Sequence, residues 1–374
     1  MVDGAPSSDD LLEQGLKALA DLLGPGWAIT PLPEDEGLRA VDAMVEVRAQ
    51  GDTSAARLLV NLKSSLTPRA VEERLAPTMA LLLRVYPGTT PVLMTPWLSP
   101  SARSALRRHG IGYLDLTGNV SLEVSHPAIV IRTDGATRPP RGPAPERTRT
   151  TLAGAKASRL VRILADVRPP YRALDLSHHT GLSLPYVSRL LDVLTDQLLV
   201  RRKGRDITDV DWPELLRARA AHDVLLRRGE HVGTLAANGV PFTLGRLRDQ
   251  ARSDDVALTG SYAARRIAPV SAGGQLMLWV GPGRDIDELA EHLGLLEVSE
   301  NADVILLRPP DPVVLDRSAV NGDGLRQVAL SQLVLDCLSG PGRMPAEGEA
   351  VLEYMAAHED EWRARSIAKR KPLP

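Results

Sequence analysis

The stretch ALDLSHHTGLSLPYVSRLLDVLTDQLL, residues 173–199, decides the fold at the centre of this chain. Its first part predicts a short helix with Leu174 and Leu176 facing inward, and Gly181 predicts the turn that ends this helix. Ser183 then stands where it can cap a second helix over about residues 184–197. The stretch therefore has the pattern of a helix-turn-helix.

The second helix of this pattern has an apolar face and a polar face. Its apolar residues recur at three- and four-residue steps, as on one buried side of a helix: Val187, Leu190, Leu191, Leu194 and Leu198. Ser183, Tyr186, Ser188 and Arg189 fall elsewhere, mostly on the outer face. Such a helix can bury its leucines while its first polar residues reach base edges in a major groove. We predict that these four residues face bases or flanking phosphates of duplex DNA.

A basic turn follows the second helix. Arg201, Arg202, Lys203 and Arg205 surround a glycine between two short strand-like segments. This pattern predicts a β-hairpin wing whose cations contact the DNA backbone or the minor groove. The alternative is a solvated hairpin on a trihelical protein–protein module, which the sequence leaves open.

The segment before the helix-turn-helix completes a winged domain. Residues 156–167 predict an amphipathic helix with Leu160, Ile163 and Leu164 inward and with Arg159 and Arg162 outward. Residues 151–219 contain 12 Lys and Arg against 8 Asp and Glu, whereas the whole chain has a net charge of −2. A local basic excess suits a module that neutralises phosphates.

The composition is that of a globular protein with two or three domains in 374 residues. Aromatic residues make up only 3%, which argues against base stacking on single strands. The one cysteine, Cys337, excludes an intramolecular disulfide and is expected in a core. The sequence has no pattern of a signal peptide or a membrane span, so we expect a cytoplasmic protein without membrane contact.

The N-terminal part predicts an α/β domain over residues 1–133. Helices are expected at residues 11–23, 68–86 and 99–109, and strands at residues 40–48, 57–62, 90–95, 112–116, 120–124 and 128–131. Asp42 begins one strand and Asn61-Leu62-Lys63 ends the next. This placement resembles the PD-(D/E)XK nuclease fold, in which two carboxylates hold a divalent metal and the lysine positions water. Because neutral Asn61 replaces the second carboxylate, we expect an inactive site that holds no metal.

Residues 134–150, rich in proline and arginine, predict a linker, and a winged helix-turn-helix is expected at 151–210 and a further α/β domain at 211–374. In this last domain, ALTGSYAARRIAP at residues 257–269 is similar to the opening of nucleotidyltransferase folds. The strand expected at residues 275–280 carries no acid, and Asp285 and Asp287 are expected at a helix cap. Without paired carboxylates for two-metal phosphoryl transfer, we expect no enzyme activity and no cofactor.

As a set, the winged helix, DVDWPELL at residues 209–216, the ALTGSYAARRIAP segment and SQLVLDCLSGPGRMPAEGEAVLEYM at 331–355 resemble the AbiEi-type antitoxin and regulator family. GYLDLTGN at residues 112–119 extends the resemblance into the N-terminal domain. The resemblance implies a winged helix that represses transcription at operator DNA. It also implies a C-terminal domain that acts against a nucleotidyltransferase-like toxin, although the N-terminal domain departs from the shorter antitoxins.

The sequence thus predicts an α/β multidomain transcriptional regulator with double-stranded DNA as its partner. We expect a dimeric repressor on inverted repeats, because helix-turn-helix proteins usually bind two half-sites. Two alternatives stay open: a metal-dependent nuclease using Asp42 and Lys63, and an antitoxin whose main partner is a toxin-like protein.

Overall fold

The computed structural model describes residues 7–33, 41–137, 151–249, 255–270 and 273–367. The chain divides into two compact units, one of residues 1–148 with 196–198, and the other of residues 149–195 and 199–374. Most of the predicted linker, residues 138–150, lies outside the described residues. The predicted boundary between residues 210 and 211 lies within the second unit.

The first unit is built on one mixed seven-stranded sheet in the order β1-β2-β3-β4-β5-β6-β7. Strand β4 pairs in parallel with β3 and β5, and the other neighbours are antiparallel. Its elements are α1 (Ser8–Leu23), β1 (Trp27–Pro31), β2 (Ala43–Ala49), β3 (Ala55–Leu62), α2 (Pro68–Ala70), a π-helical segment (Val71–Leu75), α3 (Ala76–Val85), β4 (Thr89–Thr95), α4 (Pro100–Arg108), β5 (Gly112–Asp115), β6 (Val120–Val124) and β7 (Ile129–Thr133).

Two hydrophobic clusters cover the two faces of this sheet. On β3, Leu58, Val60 and Leu62 pack with α1, whereas Leu59 packs with the helices over residues 68–108. Because successive side chains of a strand point to opposite faces, a strand buried on both sides is apolar almost throughout. The run RLLVNL has that composition, and Asn61 is its buried polar exception, with 6% of its surface exposed.

The second unit begins with the winged helix-turn-helix. Its elements are α5 (Ala155–Asp166), β8 (Tyr171–Arg172), α6 (Ala173–Thr180), α7 (Leu184–Asp196), β9 (Val200–Lys203) and β10 (Asp206–Val210). The three strands form a small antiparallel sheet in the order β8-β10-β9. The predicted helix, turn, second helix and wing are therefore confirmed as structural elements.

The rest of the second unit is a mixed seven-stranded sheet with helices, in the order β14-β11-β15-β13-β12-β17-β16. Its elements are α8 (Trp212–Ala220), a 3-10 turn (Leu225–Arg227), β11 (His231–Ala236), α9 (Val240–Asp249), β12 (Val256–Thr259), α10 (Gly260–Ile267), β13 (Leu276–Val280), α11 (Ile286–Leu293), β14 (Leu295–Glu297), β15 (Val304–Leu307), a 3-10 turn (Pro312–Leu315), β16 (Ala319–Val320), β17 (Arg326–Gln327), α12 (Leu330–Leu338), α13 (Met344–Ala357) and α14 (Glu359–Trp362).

One continuous hydrophobic core joins the winged segment to this larger sheet, with Leu160 of α5 and Val334 of α12 both fully buried in it. A polar centre lies inside this core at Asp336, whose carboxylate is fully buried. It accepts hydrogen bonds from Thr259 (2.7 Å), Trp279 (2.7 Å) and Gln332 (2.7 Å), and it pairs with Arg228 at 2.7 Å. Four donors satisfy the buried charge, which would otherwise be costly.

Two side chains of the helix-turn-helix region lie where the sequence did not predict them. Leu174 was expected inward, but 49% of its surface is exposed, whereas Leu176 is fully buried as predicted. Leu198 was expected on the apolar face of the second helix. That helix ends at Asp196, and Leu198 adopts a left-handed φ of 59° beyond it. The helical spacing of leucines therefore continued past the end of the helix.

Arg162 also lies where the sequence did not predict it: it was expected on the outer face of α5 but has only 2% of its surface exposed. In the larger sheet domain, α8 ends at Ala220 and a separate 3-10 turn follows it. The short strand β17 precedes α12. In the described ranges, no helix is both long and apolar enough to span a membrane.

Candidate nucleic-acid interface

The turn between α6 and α7 has the backbone geometry that a helix-turn-helix needs. Gly181 adopts φ 69°, a left-handed conformation that glycine accepts without strain, and its amide donates to the carbonyl of Ser177. The hydroxyl of Thr180 donates to the carbonyl of Leu176 at 2.7 Å and is buried. The amides of residues 186 and 187 both donate to the carbonyl of Ser183, so α7 starts immediately after this residue.

Helix α7 presents a polar surface because its other side is locked into the core. Val187, Leu190, Leu191 and Leu194 are buried there. The predicted contact residues lie on the remaining surface: Ser183 and Arg189 are exposed, and Tyr186 and Ser188 are half-buried. Burial raises the pKa of the Tyr186 phenol above its ordinary value, which already lies well above neutral pH, and the protonated hydroxyl can donate.

The wing brings its basic residues to the exposed end of a tight hairpin. Gly204, with φ 64°, allows the turn between β9 and β10, and Arg201, Lys203 and Arg205 are exposed. Arg202 differs, since only 26% of its side chain is exposed and its guanidinium contacts Asp192 of α7 at 2.9 Å. This ion pair fixes the wing to the second helix of the motif.

The cations of this surface have different charge partners. Arg201 lies 3.8 Å from Asp209, but both side chains are largely exposed. Among the described residues, Arg189, Lys203 and Arg205 have no ion-pair partner within 4.0 Å; we call these three the surface cations. No acidic residue lies in the first turn of α7. The positive charge is therefore available to an external anion such as a phosphate.

The internal contacts of two arginines could not be predicted from the sequence. Arg172 is exposed on β8, and its guanidinium donates to Asp206 of the wing at 2.7 Å, which raises its pKa. Its only sequence signal was the charge itself. Arg162 of α5 is the second such residue, and its partners lie about 150 to 170 residues away in the chain. No local pattern could have shown that contact.

Residues 155–204 match the family model of the IclR helix-turn-helix domain. The matched range begins with α5, contains α6 and α7 and ends in the turn of the wing. The chain thus carries an IclR-type helix-turn-helix DNA-binding domain in the middle of a mixed α/β protein. This domain supports a DNA-binding transcriptional regulator with DNA as its partner. Comparisons with curated proteins and with solved structures found no match.

The N-terminal residues that resemble a nuclease site also lie close together. The carboxylate of Asp42 accepts a hydrogen bond from the amide of Leu62 at 2.7 Å, and Nζ of Lys63 lies 4.0 Å from it. Asn61, which directly precedes Leu62 and Lys63, is buried. Its Oδ1 has no hydrogen-bond partner among the described residues. The described residues contain no cluster of three or more His, Cys, Asp or Glu that could hold a metal ion. The arrangement has one carboxylate where the nuclease pattern has two.

The segment that resembles a nucleotidyltransferase opening is part of the buried core. The hydroxyl of Ser261 donates to Glu347 at 2.6 Å, and only 5% of Ser261 is exposed. Strand β13 is buried along its whole length, and Asp285 caps α11 by accepting from the amides of residues 287 and 288, as predicted for this cap. Ser261 therefore uses its hydroxyl in an internal contact.

Proposed function

We propose that this chain is a sequence-specific transcriptional regulator that reads duplex DNA with α7 and holds the backbone with its wing. The observation that carries the proposal is the coincidence of the IclR-type match with the surface cations, which are exposed and have no carboxylate partner within 4.0 Å in the part of the chain that the structure describes. Ser183, Tyr186, Ser188 and Arg189 contact bases or flanking phosphates. Arg201, Lys203 and Arg205 contact the backbone or the minor groove.

Arg202 has a different role in this proposal from the other wing cations. Its guanidinium already donates to Asp192 through Nη1, and Nε and Nη2 are buried, so it orients the wing relative to α7. The protein acts as a dimer on inverted repeats and represses transcription by occupying an operator. The dimer rests on the geometry that helix-turn-helix proteins share, in which two recognition helices meet half-sites one helical turn apart.

The experiment is selection of genomic DNA fragments by the purified full chain at about physiological salt, where specific and non-specific binding separate. We expect a discrete and roughly palindromic motif, bound by two chains, that is lost in Arg189→Ala. Arg84→Ala, which removes an exposed arginine of α3 in the other unit, is the matched control and should keep the motif. Enrichment without any motif would refute sequence-specific regulation.

The nuclease alternative is supported by one observation, the 4.0 Å approach of Lys63 to Asp42. We propose that the site is nonetheless inactive, because Asn61 cannot supply the second negative charge that a divalent ion needs there. Magnesium- or manganese-dependent nicking that disappears in Asp42→Ala would overturn this proposal. The AbiEi-type antitoxin role and a toxin-like partner stay predictions from the sequence resemblance.

A further inference from the structure

A cavity of 510 Å³ lies beside the helix-turn-helix, inside the second unit. Its walls are one face of α5, the C-terminal end of α6 and residues 311–317, which contain a 3-10 turn. Cavities of about 300–1,000 Å³ are the usual size for small-molecule sites. The cavity also reaches Thr180, which directly precedes the turn at Gly181, so an occupant would contact the motif that positions α7.

The face of α5 that lines the cavity has both charged and apolar residues. The lining residues from α5 are spaced at i, i+3, i+4 and i+7, so they lie along one side of the helix: Arg159, Arg162, Ile163 and Asp166. Val313 adds apolar surface from the opposite wall. A ligand that fits this lining has an apolar part as well as charged groups.

Two of the charges in the wall are already satisfied inside the protein. Arg162 donates to Ser331, to Gln332 and to two backbone carbonyls, at distances from 2.8 to 3.0 Å. The carboxylate of Asp166 lies 3.6 Å from the guanidinium groups of both Arg162 and Arg317. These two groups therefore build the wall rather than recruit a ligand.

Two further arginines keep unused donors at the cavity. Arg159 donates a hydrogen bond from Nε to the carboxylate of Asp311 at 2.8 Å. Arg317 donates a hydrogen bond from Nη1 to the backbone carbonyl of Asp166 at 3.2 Å. Among the described residues, the two terminal nitrogens of Arg159 and two nitrogens of Arg317 donate no hydrogen bond. Arg317 also holds φ 62°, a strained conformation for a non-glycine residue that is often found at ligand sites.

One carboxylate of the lining is also unused. The side chain of Asp316 is exposed and, in the described part of the chain, accepts no hydrogen bond and forms no ion pair within 4.0 Å. The cavity thus offers two guanidinium groups with spare donors and one carboxylate with spare acceptors. A simple anion would use only the first, and a simple cation only the second.

We propose that this cavity binds a small zwitterion of the amino-acid type. Its carboxylate is held by Arg159 and Arg317, its ammonium group contacts Asp316, and its apolar part packs on Ile163 and Val313. Bound there, it links α5 and α6 to residues 311–317 and changes the affinity of the winged helix for DNA. This last effect rests on the proposed function, whereas ligand binding itself does not.

The test is titration calorimetry on the full chain with each of the common L-amino acids. Succinate serves as an anion-only probe and putrescine as a cation-only probe. We expect at least one amino acid to bind, neither single-charge probe to bind comparably, and Arg317→Gln and Asp316→Asn each to weaken binding by about tenfold or more. The Asp316 side chain is exposed, so Asp316→Asn should melt like the unaltered protein. Arg317→Gln also removes one of the two counter-charges of the buried Asp166, so its binding is measured well below its own melting temperature.

Arg74→Gln, which removes an exposed arginine of the first unit, is the matched control and should bind like the unaltered chain. Binding by no amino acid, or equal binding of succinate that Asp316→Asn does not affect, overturns the proposal. DNA affinity is then measured with and without the bound amino acid, and we expect a change of about fivefold or more. An unchanged affinity refutes regulation alone, and absence of any DNA binding refutes the proposed function while the calorimetry still decides the ligand site.

Discussion

Two groups of cations that belong to the winged domain or contact it have opposite surroundings. Arg162 on α5 and Arg363 near the end of α14 are buried; we call them the anchoring arginines. Arg363 donates to the carbonyls of residues 164, 165 and 167, and so satisfies the last turn of α5. The surface cations, defined above, lie on α7 and the wing and have no internal ion-pair partner among the described residues.

The difference teaches that charge alone does not mark a DNA contact in this domain. An arginine whose donors are all used inside the protein cannot neutralise a phosphate, whereas an exposed cation can do so with little reorganisation. The anchoring arginines hold the winged domain against the larger sheet domain. The surface cations remain available to contact DNA. Each group therefore has its own expected mutational effect.

The largest expected effect is on stability, at Arg162. Arg162→Ala leaves Asp166 buried with a weaker counter-charge and leaves Gln332 without its donor, so we expect a loss of about 3–5 kcal/mol in the free energy of unfolding. Urea unfolding measures it. Arg189→Ala, the control from the surface cations, should change stability by less than about 0.5 kcal/mol. An equal loss of unfolding free energy in both variants would contradict the distinction between the anchoring arginines and the surface cations.

The next effect is on sequence preference, at Arg189. Arg189→Ala should cost about 1–3 kcal/mol on the selected operator and much less on random DNA, because a lost base contact removes discrimination. Fluorescence anisotropy with both DNAs measures it. A loss of equal size on both DNAs would instead make Arg189 a phosphate contact.

A smaller effect, independent of sequence, is expected in the wing. Lys203→Ala should weaken operator and random DNA alike and should reduce the slope of log affinity against log salt by about one unit, since one phosphate contact is lost. Lys17→Ala, an exposed lysine of α1, is the control and should leave the slope unchanged. An unaltered slope in Lys203→Ala would remove Lys203 from the interface.

The smallest effect is expected at the ion pair between Asp192 and Arg202. It is partly exposed, with 67% and 26% of the side chains accessible, so a double-mutant cycle should give a coupling of about 0.2–1 kcal/mol in stability. Asp192→Asn should also lower operator affinity if the pair orients the wing. Zero coupling and unchanged affinity would contradict that role.

The sequence predicted the helix-turn-helix correctly where the signals were local. Gly181 marked the turn, the three- and four-residue spacing from Val187 to Leu194 marked the buried face of α7, and Gly204 marked the wing. The same local reasoning misplaced Arg162, because helical periodicity assigns a charged residue to the solvent side by default. Its partners come from residues 313–332, and no pattern within α5 contains them.

The sequence also missed elements whose stability comes from distant pairing. Strand β11, with Gly233 at its centre, has little intrinsic strand preference and is held between β14 and β15. Strand β1 ends at a proline, Pro31, and pairs with β2 at the edge of the first sheet. The nuclease-like and nucleotidyltransferase-like assignments stay predictions, as does the antitoxin resemblance.

The most direct test of the central claim is the affinity of the purified full chain for a selected genomic fragment and for a shuffled fragment of the same composition, at about physiological salt. A sequence-reading α7 predicts that the selected fragment binds at least about 10³-fold more tightly. Equal affinity for the two fragments would contradict the claim and would leave the exposed cations of α7 and the wing with sequence-independent phosphate contacts at most.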